Sequence, residues 1–169
     1  MNLENMLVLR DTLLSDLNKI IQMEDDTETN QFITPYNLER HKQVIENKNE
    51  IHLSIFDKKE KLIGFVILAG LTNGNDSIEF RRIVISEKGK GFGAATIEKI
   101  KKKCFEEYAC HRLWLDLFDF NERAKHIYKK LGFSQEGVLR ECIKTDEGYI
   151  NLIVMSILKR EYEKENGSL

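Results

Sequence analysis

The segment Ile83-Val84-Ile85-Ser86-Glu87-Lys88-Gly89-Lys90-Gly91-Phe92-Gly93-Ala94-Ala95 constrains this chain more than any other. A β-rich apolar run enters three alternate glycines, and a helix-forming sequence comes next. Glycine lets a backbone turn sharply and approach a ligand without a Cβ in the way. The first turn of a helix adds unpaired N–H groups and a positive dipole end, and the two together favour a phosphate. Lys88 and Lys90 place positive charge at the rim. An ordinary strand-to-helix turn seldom needs so many glycines. A P-loop needs Gly-Lys-Ser/Thr, which is absent. A dinucleotide fingerprint stays open, because Gly89-x-Gly91-x-x-Ala94 fits G-x-G-x-x-A and Asp116 lies about 20 residues beyond it, where a ribose-binding acid belongs. That fingerprint sits on a mainly parallel sheet, whereas an antiparallel pattern precedes the loop here.

That pattern is visible upstream. Leu7–Leu9 is a short apolar start, and Leu13, Leu14, Leu17, Ile20 and Ile21 have helical spacing. The polar stretch from Asp25 to Asn30 reads as loop. A second helix is expected over Tyr36–Asn47, with Leu38, His41, Val44 and Ile45 on one side. Then the period changes: Ile51, Leu53 and Ile55 alternate, Asp57–Lys61 turns, and Leu62–Leu71 completes a hairpin. Asn73-Gly74-Asn75 is a further turn before the strand Ile78–Ile85. A helix is expected from Ala94 to about Tyr108, then the strand Arg112–Leu117, the helix Glu122–Lys130, and the strands Val138–Ile143 and Asn151–Leu158. The tail, 161–169, is polar and expected to fray. Meander pairing followed by β-α-β predicts an α+β domain: a mixed, mostly antiparallel sheet of about seven strands with about four helices on its faces.

Composition narrows the classes. Hydrophobic residues are 41% of 169, enough for a single core, and the whole chain, 1–169, reads as one domain. The formal charge of −2 gives no global pull toward nucleic acid or membrane. No apolar run approaches the ~20 residues that span a bilayer, and Met1–Arg10 has no secretory pattern, which predicts a cytoplasmic protein. Cys104, Cys110 and Cys142 are scattered, without metal spacing, and read as reduced thiols; no metal is expected. The lysines at 99, 101, 102 and 103 read as a solvated helix face.

Asn121-Glu122-Arg123-Ala124-Lys125-His126-Ile127-Tyr128-Lys129-Lys130-Leu131-Gly132-Phe133 comes directly after the fifth expected strand. Asn121 suits an N-cap and Gly132 a C′ stop. Asn121, Ala124, Tyr128 and Leu131 share one helix face: an amide, a small residue that permits close approach, and a phenol. His126 lies beside that face, and it, His111 and His52 are the histidines available to relay protons. Taken alone, Tyr128 reads more readily as an amphipathic core tyrosine.

Together the two motifs resemble the GNAT superfamily of N-acetyltransferases. Its signature is R/Q-x-x-G-x-G/A, then N-x-x-A-x-x-x-Y-x-x-x-G-F about thirty residues later. Lys88-Gly89-Lys90-Gly91-Phe92-Gly93 and Asn121 through Phe133 stand here in that order and spacing. Lys88 replaces the usual Arg or Gln, keeping charge but losing the planar fork. The resemblance runs from about Ile51 to Tyr162. Glu136-Gly137, Leu139-Arg140 and Met155-Ser156 are similar to the branch with ribosomal-protein and polyamine acetyltransferases.

The resemblance implies acetyl-coenzyme A as cosubstrate. The backbone of Ile83, Val84 and Ile85 would pair with its pantetheine arm. Lys88, Gly89, Lys90, Gly91, Phe92, Gly93 and Ala94 would hold its pyrophosphate, Asn121 would touch the arm, and Lys125 would lie near the nucleotide end. An N–H near Ile83 or Val84 would polarise the thioester carbonyl. An alkyl amine, with a pKa of about 10, must lose a proton before attack. Glu79 is the candidate base through water, with a salt bridge to Arg81 or Arg82 as the competing reading. Tyr128 is the candidate acid toward the departing thiolate.

The acceptor is a small-molecule amine or a peptide N-terminus, and a homodimer is compatible with the sequence. Polyamine enzymes of the branch carry acidic residues before a Pro-Tyr pair. Here Ile33-Thr34 precede Pro35-Tyr36, leaving Asp25, Asp26 and Glu28 as the nearby negative charge. Two other classes remain, a non-catalytic acetyl-coenzyme A sensor and an NAD-binding oxidoreductase.

Overall fold

Alternating apolar residues and tight turns set the sheet, which the computed structural model describes within residues 3–167. The strands are β1 (Leu7–Asp11), β2 (Glu50–Asp57), β3 (Leu62–Ala69), β4 (Ser77–Ile85), β5 (Arg112–Phe118), β6 (Ser134–Thr145) and β7 (Gly148–Leu158). They form one sheet in the order β1-β2-β3-β4-β5-β7-β6. Every neighbouring pair is antiparallel except β4–β5. One parallel pair in such an order is not a doubly wound sheet, which removes the structural basis of the dinucleotide reading. Helices α1 (Leu17–Asp25), α2 (Thr27–Asn30) and α3 (Leu38–Glu46) belong to the N-terminal half. Helices α4 (Phe92–Lys102), α5 (Glu122–Lys130) and α6 (Lys159–Glu165) belong to the C-terminal half.

Strand β3 is buried along its whole length, because helices cover both sides of it. Leu17 and Ile20 of α1 and Val44 of α3 pack with Leu62, Phe65, Ile67 and Val84. On the other face, Ile97 and Ile100 of α4 and Tyr128 of α5 join Val66, Leu68, Ile78, Phe80, Leu113 and Leu115. Such burial is the main stabilising term in a domain of this size.

A bulge in β4 decides which way the second half of that strand faces. Ile67 pairs with Arg82 but Leu68 pairs with Phe80, leaving Arg81 as the extra residue. Side chains alternate across a strand, so one inserted residue reverses every later one. Ile78 and Phe80 accordingly point into the α4/α5 core, while Val84 lies in the α1/α3 core. Arg82 shares the facing of Val84 and is only 8% exposed.

Three expectations need correction. The stretch read as loop at Asp25–Asn30 contains α2, capped by Asp26, whose Oδ1 accepts from the Glu28 N–H at 3.0 Å. The tail is not frayed through its described part. There Tyr162 of α6 stacks on Phe105 at 4.8 Å and donates its hydroxyl to Glu106 at 2.7 Å; 168–169 lie outside the described residues. Lys101 is not on a solvated face: it is buried, donates to the Leu131 carbonyl at 2.8 Å and pairs with Glu98 and Glu165. Spacing alone could not foresee that α6 brings a carboxylate to meet it.

Candidate active site

Strands β4 and β5 pair only from Ser77–Glu79 against Arg112–Trp114. Beyond that they part, and a cleft of about 570 Å³ opens between them. Ile83, Val84 and Ile85 line it from β4, and Asp116 and Leu117 from β5. Asn121, Ala124, Ile127 and Tyr128 line it from α5, and Phe32 and Ile33 from the segment joining α2 to α3. On its other edge β4 is paired with β3 from Glu79 to Ile85, apart from the bulged Arg81. The β5-side edge over residues 83–85 therefore has no strand partner, which is what an extended ligand arm needs.

The glycine loop closes one end. Gly91 adopts φ +78° and caps α4, so the helix begins at Phe92, two residues before the expected Ala94. Gly89 has φ +77°, and a Cβ at Gly89 or Gly93 would meet nothing within 4 Å. The loop thus presents bare backbone to open space at a helix start, as a pyrophosphate requires. The side chain of Phe92 instead packs in the core. Lys88 lines the cleft and pairs with Asp26 at 3.4 Å and Glu28 at 3.2 Å. Lys90 pairs with Glu87 at 2.5 Å. Lys125 pairs with Glu122 at 2.6 Å and stands outside the cleft lining, as do Gly89 through Ala94.

Asn121 caps α5, its Oδ1 accepting from the Ala124 N–H at 3.2 Å. This locks the helix that delivers Tyr128. The Tyr128 ring packs edge-on against Phe80 and Phe133, at 6.3 and 5.3 Å. Burial pushes its phenol pKa well above the ordinary value.

Two carboxylates compete for the role of base. Glu79 Oε2 accepts from Arg81 Nη2 at 2.6 Å and Nε at 3.1 Å, and Glu79 does not line the cleft. The salt-bridged reading of Glu79 is therefore realised. Arg81 also bonds Glu50, which Arg40 grips through both terminal nitrogens. Asp116 does line the cleft, and among the described residues no side chain hydrogen-bonds it. Partial burial raises its pKa, and the neighbouring charge of Glu79 adds to that. The sequence offered Asp116 only as a ribose ligand, and the parting of β4 from β5, which exposes it, leaves no local signal.

Arg82 was also missed as part of the site. Its Nη1 donates to Glu24 Oε1 at 2.5 Å and its Nη2 to the Thr34 carbonyl at 2.7 Å. It also lies 3.9 Å from the centre of the Tyr36 ring. The guanidinium thereby ties the segment carrying Phe32 and Ile33 to β4.

Residues 17–133 match the family model described as the acetyltransferase (GNAT) family. The spermidine N(1)-acetyltransferase of Vibrio cholerae serotype O1 is 30% identical over 125 residues, 73% of this chain and 72% of that one. A putative ribosomal N-acetyltransferase, YdaF of Bacillus subtilis, is 30% identical over 105 residues, 62% and 57% of the two chains. The solved spermidine N-acetyltransferase of Vibrio cholerae in complex with CoA and spermine superposes with a TM-score of 0.85 at 27% identity, covering 94% of this chain and 98% of that one. Among the described residues no helix is long and apolar enough to cross a membrane.

Proposed function

The chain belongs to the GNAT acetyltransferase family, and on that premise we propose how its cleft moves an acetyl group from acetyl-coenzyme A to an alkyl primary amine. The protein is an acetyl-coenzyme A-dependent N-acetyltransferase. Residues 1–169 act as one domain. The observation that carries the reading is the parting of β4 from β5, which puts the open edge of Ile83–Ile85, Tyr128 and Asp116 around a single cleft.

The pantetheine arm pairs with the backbone of residues 83–85, and an N–H near Ile83 or Val84 polarises the thioester carbonyl. The pyrophosphate lies on the backbone from Gly89 to Ala94, with Lys88 at the rim and Asn121 facing the arm. Lys90, Phe92 and Lys125 serve that end through charge or framework. The amine attacks directly, its nitrogen bonding the carbonyl carbon as the carbon–sulfur bond breaks. The Tyr128 phenol then donates toward the departing sulfur, and the proton that the new amide nitrogen sheds restores the phenol, directly or through solvent. Burial raises the phenol pKa, which keeps it protonated and able to donate through the neutral range.

The amine must first lose a proton, and Glu79 through water is one base for that. Asp116 is the second reading, favoured because it faces the cleft without a cationic partner while Glu79 is held by Arg81. A carboxylate with a raised pKa is a better match to proton abstraction than an ordinary one.

For the acceptor, the charges near the cleft support an alkyl amine. Arg81 and Arg82 are each neutralised by carboxylates, and Lys88 by Asp26 and Glu28. Two charges in the lining have no ion pair among the described residues, Asp116 and Arg123, and Asp116 is the one that an alkylammonium would meet. Polyamines come first for testing because two of the similar proteins are named for spermidine. Release of the coenzyme thiol should be followed with spermidine, spermine and a peptide bearing a free α-amine. Turnover with the alkyl amines supports the assignment. Turnover with the peptide alone would refute the acceptor class, and absence of acetyl-coenzyme A binding in calorimetry would refute the cleft reading.

A further inference from the structure

Beneath the acceptor side of the cleft runs an unbroken chain of polar side chains. Glu24 Oε2 meets His41 Nε2 at 3.2 Å, and His41 Nδ1 meets His52 Nε2 at 3.0 Å. His52 Nδ1 meets the Thr12 hydroxyl at 2.9 Å, which meets the Ser54 hydroxyl at 2.9 Å. Ser54 reaches Asp16 Oδ2 at 3.2 Å. Glu24, His41 and Ser54 are fully buried, and His52 and Thr12 are at most 5% exposed. Only Asp16 is half-exposed.

The hydrogens in this chain do not balance. The five contacts need one hydrogen each. Two carboxylates close the ends and supply none when ionised. The two hydroxyls and two neutral imidazoles between them supply four. With neutral imidazoles, one buried contact near 3 Å must set lone pair against lone pair, and an unsatisfied buried polar group is costly.

We propose that Glu24, His41, His52, Thr12, Ser54 and Asp16 form one chain that holds a single extra proton on His41 and so positions Arg82 and the acceptor-side wall. With His41 as imidazolium every contact closes in one direction. Its Nε2–H donates to Glu24 and its Nδ1–H to His52 Nε2. The Nδ1–H of His52 donates to Thr12, Thr12 to Ser54, and Ser54 to Asp16. The alternative is to place the extra hydrogen on Asp16, but that end of the chain is open to water, which can satisfy an ionised carboxylate, whereas the buried His41–His52 contact has no such recourse. His52 cannot take the charge: burial first, then the positive charge of His41, push its pKa down to about 3. Glu24 can remain ionised. Burial alone would raise its pKa, but His41, Arg82 and the Tyr36 N–H together lower it.

The remaining neighbours fit this state. On α1 the facing charge is Glu24, with Asp16 at the helix start. On α3 it is Arg40, already held by Glu50 of β2. On β4 it is Arg82, with Arg81 held by Glu79 and Glu50. Between the strands, β3 offers only Phe65, stacked 5.2 Å from His52. Among the described residues Glu24 is thus the sole anion in direct contact with His41. It also accepts from the Tyr36 N–H at 2.7 Å and from Arg82, so the proton state of the chain bears on the segment that walls the acceptor.

The hydrogen count itself supplies the test. Asp16→Asn adds an N–H donor at the surface end, so all five contacts close with neutral imidazoles and His52 must switch its hydrogen from Nδ1 to Nε2. Ser54→Ala removes two contacts and one hydrogen, which closes the count in the same way. Nitrogen-15 spectra of ring-labelled histidine read this directly. At about pH 7 the unmodified protein should show both His41 nitrogens protonated and His52 as the Nδ1–H tautomer. Both variants should show neutral His41 and the Nε2–H tautomer. In kinetics, the KM for amine, per free base, should carry an alkaline step where His41 loses its proton. Asp16→Asn should lose that step, and the KM for acetyl-coenzyme A should lack it throughout. Neutral His41 in the unmodified protein, or an unchanged His52 tautomer in both variants, would overturn the proton assignment. A persistent amine step in Asp16→Asn would overturn the positioning role. The kinetic arm rests on the proposed acceptor site and the spectroscopic arm does not, so the two fail separately.

Discussion

Tyr128→Phe removes one oxygen from the cleft and little else. The ring keeps its edge contacts with Phe80 and Phe133. Among the described residues the hydroxyl has no hydrogen-bond partner to lose, so the unfolding free energy should move by less than about 0.5 kcal/mol. Affinity for acetyl-coenzyme A should hold within about two-fold, since the loop and the β4 edge are untouched. What disappears is proton donation toward the leaving sulfur. A positioned general acid contributes about 10²–10⁴-fold, equivalent to roughly 3–5 kcal/mol of barrier.

The assay is steady-state release of the coenzyme thiol, with calorimetric titration of the cosubstrate on the same preparation. The expected pattern is a kcat lowered by about two to four orders of magnitude with binding intact. The pH dependence sharpens it. Burial raises the folded-state pKa of Tyr128 above the unfolded value of about 10. Below that value both states are protonated, so Tyr128 adds no pH dependence to stability. Above it the unfolded chain releases a proton that the folded protein retains, so stability falls as pH rises. Tyr128→Phe should remove that alkaline loss. Unchanged turnover with intact binding would eliminate Tyr128 as the acid and leave it as a core residue.

Other parts of the site give three further expected outcomes. Asp116→Asn should abolish an acidic limb of kcat/KM for free-base amine that lies above the ordinary aspartate range of about 3.9, and should cost about 10²-fold or more in rate; an unchanged profile returns the role to Glu79. Glu24→Ala strands Arg82 in a buried site and should destabilise the fold by about 3–5 kcal/mol in urea unfolding, whereas a loss below about 1 kcal/mol would mean that the pair behaves as a solvated one. Gly64→Ala would drive a methyl into the Val84 carbonyl and to within 2.9 Å of Ile85 Cδ1. That should cost about 1–3 kcal/mol and weaken acetyl-coenzyme A binding, and unaltered affinity would show that the β4 edge does not hold the arm.

The local geometry proposed to hold the cosubstrate was legible in the sequence and the part proposed to receive the acceptor was not, for a physical reason. Gly89, Gly91 and the Asn121-to-Tyr128 face act through local backbone geometry: left-handed φ values, a helix start, an N-cap and a helical repeat. Each can be read within one turn of chain. Helix α5 was accordingly expected over the residues it occupies, Glu122–Lys130. Arg82 is the opposite case. Alternation from Ile78 and Phe80 would place it in the α4/α5 core, where a guanidinium has no partner. Only the bulge at Arg81 turns it toward Glu24, which is 58 residues away in sequence. His41 and His52 meet because α3 packs over β2, and their spacing does not say so. Asp116 faces a cleft that exists because β4 and β5 stop pairing after Glu79 and Trp114. The proposed acceptor side is therefore assembled from long-range contacts around a slip in register. Exchange of buried partners can remodel it without touching the glycine loop, so close relatives that share the loop can differ in the amine they accept.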